Sequence, residues 1–325
     1  YHATNIVIGT GQTYIPLDIP GKEHFKDSRD FLDLDSIPEH VTFVGSGIIS
    51  MEFASLCLSL GKKVDIITNV STTLDMYPLK YTSQIVDKMK AQGANFLFND
   101  SVTAIEKKAE DCYVVNTVSG QQIVTNYVLI AVGRKANVDD MNLDKVGIEY
   151  SNRGIVVDDH LRTTVKNIYA SGDVIDKRIP KLTPTAEFES NYIAMDIVNP
   201  FNEAISYPVV PNLVFTLPRI GQVGVSIAEA EAAPEEYRIE TAAMGQTLSW
   251  MNRNQRYEEV TFIINKKGKL VGAAVYSDDA GAYLDILTLI INLEVDAQQL
   301  SKMIFSFPTQ TYGLISSLTP LLVSR

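Results

Sequence analysis

Residues 41 to 52, Val41-Thr42-Phe43-Val44-Gly45-Ser46-Gly47-Ile48-Ile49-Ser50-Met51-Glu52, constrain this chain more than any other stretch. The apolar run Val41 to Val44 reads as a buried parallel strand. Gly45-Ser46-Gly47 breaks it, and a helix is expected from Ile48 to about Leu60. Lys63 to Ile67 then reads as a second strand, completing a βαβ unit of the length a dinucleotide fold needs. Gly45 permits the tight strand-to-helix turn. Gly47 has no Cβ, so the backbone there can approach a pyrophosphate. The helix start offers free N–H groups and the positive end of its dipole. Ser50 stands at the third small position and still lets the helix lie close to the strand. The bland alternative is an ordinary glycine-rich turn; the flanking strand and helix weigh against it.

Composition narrows the partners. A length of 325 residues fits two or three domains, and a net charge of −11 argues against nucleic acid. No run of about 18 apolar residues offers a membrane span; the nearest, Tyr283 to Leu293, is short and carries Asp285. Cys57 and Cys112 form no CxxC-type pair, which reads as a reducing, cytoplasmic setting. Cys57 is expected to pack on its helix and Cys112 in a strand. His2, His24, His40 and His160 show no metal-ligand spacing and read as solvated surface residues, so no metal is expected. No secretory signal is read at the start of the chain.

Along the chain, Asn5 to Ile8 reads as a strand leading into Gly9-Thr10-Gly11. Those glycines do not make a second nucleotide fingerprint, because polar residues and Pro16 follow them rather than a helix. A short helical stretch lies between Asp27 and His40, and Thr68 to Pro78 is a polar loop. Tyr81 to Gln92 is a helix stopped by Gly93, and Ala94 to Phe98 a strand. Val102–Ile105, Cys112–Val118, Gln121–Val124 and Tyr127–Val132 read as a β-meander with a turn at Ser119-Gly120. Gly133-Arg134 closes its last strand, and Gly154 to Asp158 is another. Asn167 to Ala170 is a strand ending in Ser171-Gly172-Asp173, which puts an acid at a strand's C-terminal edge, where open α/β sheets bind ligands. The bland alternative is a turn-forming Asp. Leu182-Thr183-Pro184-Thr185-Ala186 opens a helix to about Val198, with Thr183 as the expected cap. After Tyr207, strands at 209–215, 238–243, 260–264 and 270–275 are followed by helices at 280–293, 297–304 and 309–322, the pattern of a distinct α+β domain.

In this order the motifs resemble the pyridine nucleotide–disulfide oxidoreductases, flavoenzymes such as glutathione reductase, dihydrolipoamide dehydrogenase and mercuric reductase. Ile8-Gly9-Thr10-Gly11 resembles the family's "ATG" segment, and Val44 to Glu52 its NAD(P) fingerprint. Leu129-Ile130-Ala131-Val132-Gly133-Arg134 resembles its "AxGR" segment. Tyr169-Ala170-Ser171-Gly172-Asp173 resembles its second FAD motif, and Leu182 to Ala186 its "LTPxA" motif. Pro211 to Gly224 resembles the start of its dimerisation domain.

The resemblance implies an α/β fold: a Rossmann-like NAD(P) domain with a β-meander insert over 31–152, a partial FAD domain over 1–30 and 153–206, and an α+β dimerisation domain over 207–325. It implies that Gly45, Ser46, Gly47, Ile48 and Ile49 face the dinucleotide and that Glu52 lies near nicotinamide and flavin. Thr10, Gly11, Thr68, Asn69, Gly133, Arg134, Gly172, Asp173, Leu182, Thr183 and Ala186 complete the implied cofactor-binding residues. Asp173 is expected on the ribityl hydroxyls, and the 182–186 helix start beside the flavin ring. Electrons would pass from NAD(P)H through FAD to an acceptor, in a homodimer.

Three departures qualify this. The family's first third, with its GxGxxG and CxxxxC motifs, is not found, so the chain is expected to be a fragment of a longer protein. The C-terminal His-Pro-Thr-x-x-Glu motif stands here as Phe307-Pro308-Thr309-Gln310-Thr311-Tyr312. A phenyl ring at the His position cannot transfer a proton, so an ordinary dithiol acid–base step is not expected and no catalytic residue is assigned. A metal ion, a quinone or an oxidant is the alternative acceptor. The second strand ends in Thr68-Asn69, neither the acid of an NAD site nor the arginine of an NADP site; coenzyme choice stays open with a lean to NAD. A non-catalytic dinucleotide-binding dimerisation module without FAD remains the rival reading.

Overall fold

The computed structural model describes residues 2–199 and 203–324. The chain forms two compact units, Tyr1–Asp18 with Ile130–Val210, and Ile19–Leu129 with Pro211–Arg325.

In the larger unit a four-stranded sheet has the order Asn95–Leu97, Lys63–Ile67, His40–Val44, Tyr127–Ile130. The first three strands are parallel, with Val44 opposite Ile67 and Ile67 opposite Leu97. Val41, Phe43, Ile66 and Leu129 are fully buried, as expected of strands covered on both faces. The helix Ile48–Ser59 buries Met51, Ala54 and Cys57. The helix Leu79–Ala91 buries Tyr81, Ile85 and Met89. All three elements of the expected βαβ unit, His40–Val44, Ile48–Ser59 and Lys63–Ile67, form within a residue of their expected bounds.

The inserted meander has three antiparallel strands, Val102–Ala109, Cys112–Thr117 and Gln122–Thr125. The expected fourth strand corrects the reading: Tyr127–Ile130 leaves the meander and joins the parallel sheet beside His40–Val44. All four of its residues are buried, which a half-solvated meander strand would not be.

A five-stranded antiparallel sheet follows, in the order Asn212–Val214, Arg219–Gly224, Leu270–Ser277, Glu259–Asn265, Tyr237–Ala242. The strand Arg219–Gly224 was not expected from its sequence, although it is central to this half of the sheet. The helix Ala280–Asn292 lies so close that a Cβ on Gly221 would stand 2.1 Å from Leu284 Cδ1. This sheet joins the βαβ layer through side chains. Tyr81 Oη is 2.8 Å from Thr261 Oγ1, and the Tyr81 ring stacks on Tyr276 at 5.6 Å.

The smaller unit pairs Ile6–Ile8 in parallel with Ile168–Ala170. It also pairs Gln12–Tyr14, not expected as a strand, with Arg134–Ala136. Ile8, Ile155, Leu161, Ala170, Val174 and Ile193 form its core. The helix Thr183–Val198 buries Asp196, which accepts hydrogen bonds from Arg162 (2.6 Å) and Tyr169 (3.0 Å). A buried carboxylate is tolerable only with partners of this kind.

The histidines need correction. His2 is exposed, but His24, His40 and His160 are half-buried. His40 Nε2 contacts the Asp65 carboxylate, which also accepts from Asn95 Nδ2 at 2.7 Å. The parallel register sets His40 opposite Lys63, two places from Asp65, a proximity invisible along the sequence. His160 Nδ1 lies 2.6 Å from Tyr192 Oη. Cys57 is buried and Cys112 half-buried; both are free thiols. Among the described residues no helix is long and apolar enough to cross a membrane, and no group of His, Cys, Asp and Glu is placed to hold a metal.

Candidate functional site

The sequence-derived site residues gather at two strand edges, one in each unit. In the larger unit, Gly45 takes φ +107° as the His40–Val44 strand ends, a conformation that favours glycine. Its N–H donates to Ile67 O at 2.8 Å, which ties the turn to the neighbouring strand. Ser46 is buried and donates to Thr68 Oγ1 at 2.9 Å and to Thr72 O at 3.3 Å. Thr68 is buried and Asn69 exposed.

Gly47 is the N-cap of the following helix, and no side chain caps it. The first-turn N–H groups therefore lack the usual intrahelical and capping partners. A Cβ built on Gly47 meets nothing within 4 Å, so the space before these amides is open. Ile48 is exposed and Ile49 half-buried. An open backbone at a positive helix end is the physical requirement for a bound pyrophosphate.

One turn further, Glu52 accepts from Phe215 N–H at 2.9 Å. Burial raises its pKa above the ordinary carboxylate value, and the Phe215 N–H partly offsets that. Ser55 Oγ likewise accepts from Leu217 N–H at 3.0 Å. The fingerprint helix thus fastens the 215–217 segment of the antiparallel domain, a contact the sequence did not reveal.

In the smaller unit, the parallel strands Ile6–Ile8 and Ile168–Ala170 end side by side, and Ser171 N–H donates to Ile8 O at 3.1 Å. The Gly9-Thr10-Gly11 and Ser171-Gly172-Asp173 segments therefore meet at one edge. Thr10 Oγ1 donates to Asn137 O at 2.8 Å, and Asn137 N–H donates to Gly11 O at 2.9 Å. Gly133 has φ +139°, and Arg134 donates to Gln12 O at 2.9 Å.

Gly172 has φ +75°, and a Cβ there would lie 3.2 Å from Ala186 Cβ, so the turn sits against the start of the Thr183–Val198 helix. Thr183 is not the cap. Leu182 takes the N-cap position without a side-chain bond, and Thr183 begins the helix. Pro184 suits the first turn because its missing N–H is not needed there.

The Asp173 carboxylate has no hydrogen-bond partner among the described residues, while Asp173 O accepts from Lys181 Nζ at 2.8 Å. Gly172, Asp173, Leu182 and Thr185 line a small cavity of about 10 Å³. Thr185 Oγ1 is buried without a hydrogen-bond partner among the described residues. A free carboxylate and an orphaned hydroxyl beside a helix start suit a polyhydroxylated ligand.

Phe307 and Tyr312 form an edge-to-face pair with centroids 5.2 Å apart. Phe307 is 66% exposed and Tyr312 41%, so both rings are accessible.

An α/β layer with a glycine turn at its strand edge, packed on an antiparallel sheet domain, has the architecture of a dinucleotide-binding fold joined to a second, α+β domain. The chain belongs to the pyridine nucleotide-disulphide oxidoreductase family, whose pattern matches residues 1–190, while its dimerisation domain matches residues 210–314. Members of the family use FAD with NAD(P)H.

Dihydrolipoyl dehydrogenase of Buchnera aphidicola is 30% identical over 315 residues, covering 94% of this chain and 65% of that protein. Mercuric reductase of Bacillus cereus is 29% identical over 322 residues, 96% of this chain and 50% of that protein. The chain thus spans less than two thirds of the length of these relatives. The HOCl-induced flavoprotein disulfide reductase RclA from Escherichia coli superposes with a TM-score of 0.87 at 25% identity, over 99% of this chain and 74% of that one.

Proposed function

We propose that the protein carrying this chain is a homodimeric, cytoplasmic, FAD-dependent NAD(P)H oxidoreductase. The observation that carries the reading is the uncapped helix start at Gly47, open to an anion at the edge of a parallel sheet. Residues 31–152 form the NAD(P) domain, 1–30 and 153–206 the FAD-binding part, and 207–325 the dimerisation domain. The Gly45–Ile49 amides bind the pyrophosphate, and Glu52 lies towards the nicotinamide. Asp173 accepts hydrogen bonds from ribityl hydroxyls, and the first turn of the Thr183–Val198 helix presents its N–H groups to the flavin ring. When bound, FAD supplies hydride acceptance and onward electron transfer.

Coenzyme preference is for NAD. The 68–79 segment holds no Lys or Arg to meet a 2′-phosphate. Thr68 instead engages Ser46.

The acceptor is not an ordinary small disulfide. Phe307 and Tyr312 replace the acid–base pair that the family resemblance implies, and a phenyl ring carries no exchangeable proton. A metal ion, a quinone or an oxidant suits this surface better.

Steady-state NADH oxidation tests the reading. Turnover with a quinone or metal-ion acceptor is expected to exceed turnover with lipoamide or glutathione disulfide. Faster turnover with a disulfide would overturn the acceptor assignment. Absence of any NADH oxidation with all acceptors would favour a non-catalytic dinucleotide-binding module.

A further inference from the structure

Glu189 is 1% exposed, and neither the motifs nor the family comparison gives it a task. One carboxylate oxygen accepts from Gly172 N–H at 2.6 Å, and the other accepts from Tyr207 Oη at 2.6 Å. Lys177 Nζ donates to the same Tyr207 hydroxyl and stands 4.6 Å from its ring centroid. A chain of donors thus runs from Lys177 through Tyr207 to Glu189 and meets the backbone of the Gly172-Asp173 turn. The buried negative charge is balanced by a lysine across a phenol instead of by direct contact, which satisfies both carboxylate oxygens.

The turn is fixed on its other sides too. Lys181 Nζ donates to Asp173 O at 2.8 Å, and Ser171 Oγ is 3.2 Å from Ser190 Oγ. Each of these bonds holds the segment beside the Asp173 carboxylate, and none is made to the carboxylate oxygens, which feel the Lys181 charge.

We propose that Glu189, held by Tyr207 and Lys177, is a positioning residue that fixes the Gly172-Asp173 turn so that Asp173 meets the flavin's ribityl hydroxyls in a preset geometry. This rests on the assignment of Asp173 to the ribityl chain. A carboxylate on an immobile turn spends little conformational entropy on binding; on a loosened turn it must be ordered by the ligand.

The test uses the apo form of the protein carrying this chain, with FAD affinity read from quenching of flavin fluorescence and bound-flavin absorption as a second signal. Tyr207→Phe removes one hydroxyl and keeps the ring against Phe188 and Lys177. It is expected to weaken FAD binding about five- to tenfold and to alter the fine structure of the flavin band. Tyr192→Phe is the control: it removes from the same helix a hydroxyl that meets His160 Nδ1 and Glu203 O and touches no residue assigned to FAD. It is expected to lower thermal stability comparably and leave FAD affinity unchanged. Glu189→Gln, if folded, should weaken FAD at least as much as Tyr207→Phe.

If Asp173→Ala weakens FAD while Tyr207→Phe and Glu189→Gln do not, the positioning role is overturned and the ribityl assignment survives. Equal losses in Tyr207→Phe and Tyr192→Phe would also overturn it, since that marks a general structural effect. An unchanged affinity in Asp173→Ala, or no FAD binding by the unsubstituted protein, would remove the ribityl assignment and the inference with it.

Discussion

The turns at Gly45-Ser46-Gly47 and Ser171-Gly172-Asp173 both follow parallel strands and both lie beside helix starts, yet they are built in opposite ways. The first is left open: no side chain caps its helix, and nothing fills the space a Gly47 side chain would take. The second is pinned: Glu189 holds its N–H, Lys181 holds a carbonyl, and Ser190 lies against Ser171. An anion can be met by unpaired backbone amides alone. Hydroxyls call for a fixed acceptor, and fixing a carboxylate demands partners for everything around it. On the proposed assignment, one strand-edge location would serve two ligand chemistries, according to whether the backbone or a side chain does the binding.

Four experiments sharpen or break this contrast. The largest effect is expected at the open turn. Gly47→Val should leave folding intact, since its first side-chain atom meets no protein atom within 4 Å. It should weaken NADH binding about a hundredfold, roughly 3 kcal/mol, in a calorimetric titration, and an unchanged affinity would remove the pyrophosphate from this turn. At the pinned turn the same kind of change acts on the protein itself. Gly172→Ala is expected to destabilise by ~1–2 kcal/mol, from a left-handed backbone made less favourable by a Cβ, and from the contact with Ala186. Thermal denaturation measures it; a neutral result would show that the turn is not held as described.

A smaller effect concerns Asp100, which follows the polar loop's anchor: its N–H donates to Thr68 O at 3.0 Å. Burial pushes its pKa up, but hydrogen bonds from Ser119, Thr117 and Ser101 outweigh that and hold it at about 2. A depressed folded-state pKa contributes stability that is complete above the ordinary carboxylate range and is lost as pH falls towards about 2. Asp100→Asn should flatten the acid limb of a melting-temperature profile; an identical acid limb would contradict the role.

Glu52 has the opposite sign. Its raised pKa means that its stabilising contribution is present at acid pH and lost as pH rises through the raised value. Glu52→Gln keeps an acceptor for Phe215 N–H and is expected to change stability at neutral pH by under about 1 kcal/mol, in the stabilising direction. A large loss would show that the ionised carboxylate is itself a structural partner.

The parts of the fold that were legible in the sequence are those encoded locally. The βαβ bounds followed from a continuous apolar run, two glycines and a second apolar run, whose partners are successive elements. The strand Arg219–Gly224 escaped because Arg-Ile-Gly-Gln-Val-Gly has two glycines and weak alternation; its strand character comes from neighbours on both sides, Asn212–Val214 and Leu270–Ser277. Gln12–Tyr14 escaped for the same reason, since its partner lies at Arg134–Ala136. Tyr127–Ile130 was recognised as a strand but given the wrong sheet, because hairpin logic favours the preceding strand over one some 80 residues earlier.

The candidate site divides similarly. Gly45, Gly47, Gly172 and Asp173 could be named from spacing and turn chemistry. The fastening of Glu52 to Phe215 and of Glu189 to Tyr207 could not, because a buried carboxylate's partners are set by tertiary packing. Thr183 was read as a cap from its residue type, whereas the extended backbone of Leu182 makes that residue the helix boundary.

The most direct test of the account is the visible absorption of the purified protein supplied with FAD, before and after anaerobic addition of NADH. The account predicts a yellow protein with a flavin band near ~450 nm that bleaches when NADH is added. A colourless protein that neither retains FAD nor binds NADH would contradict it.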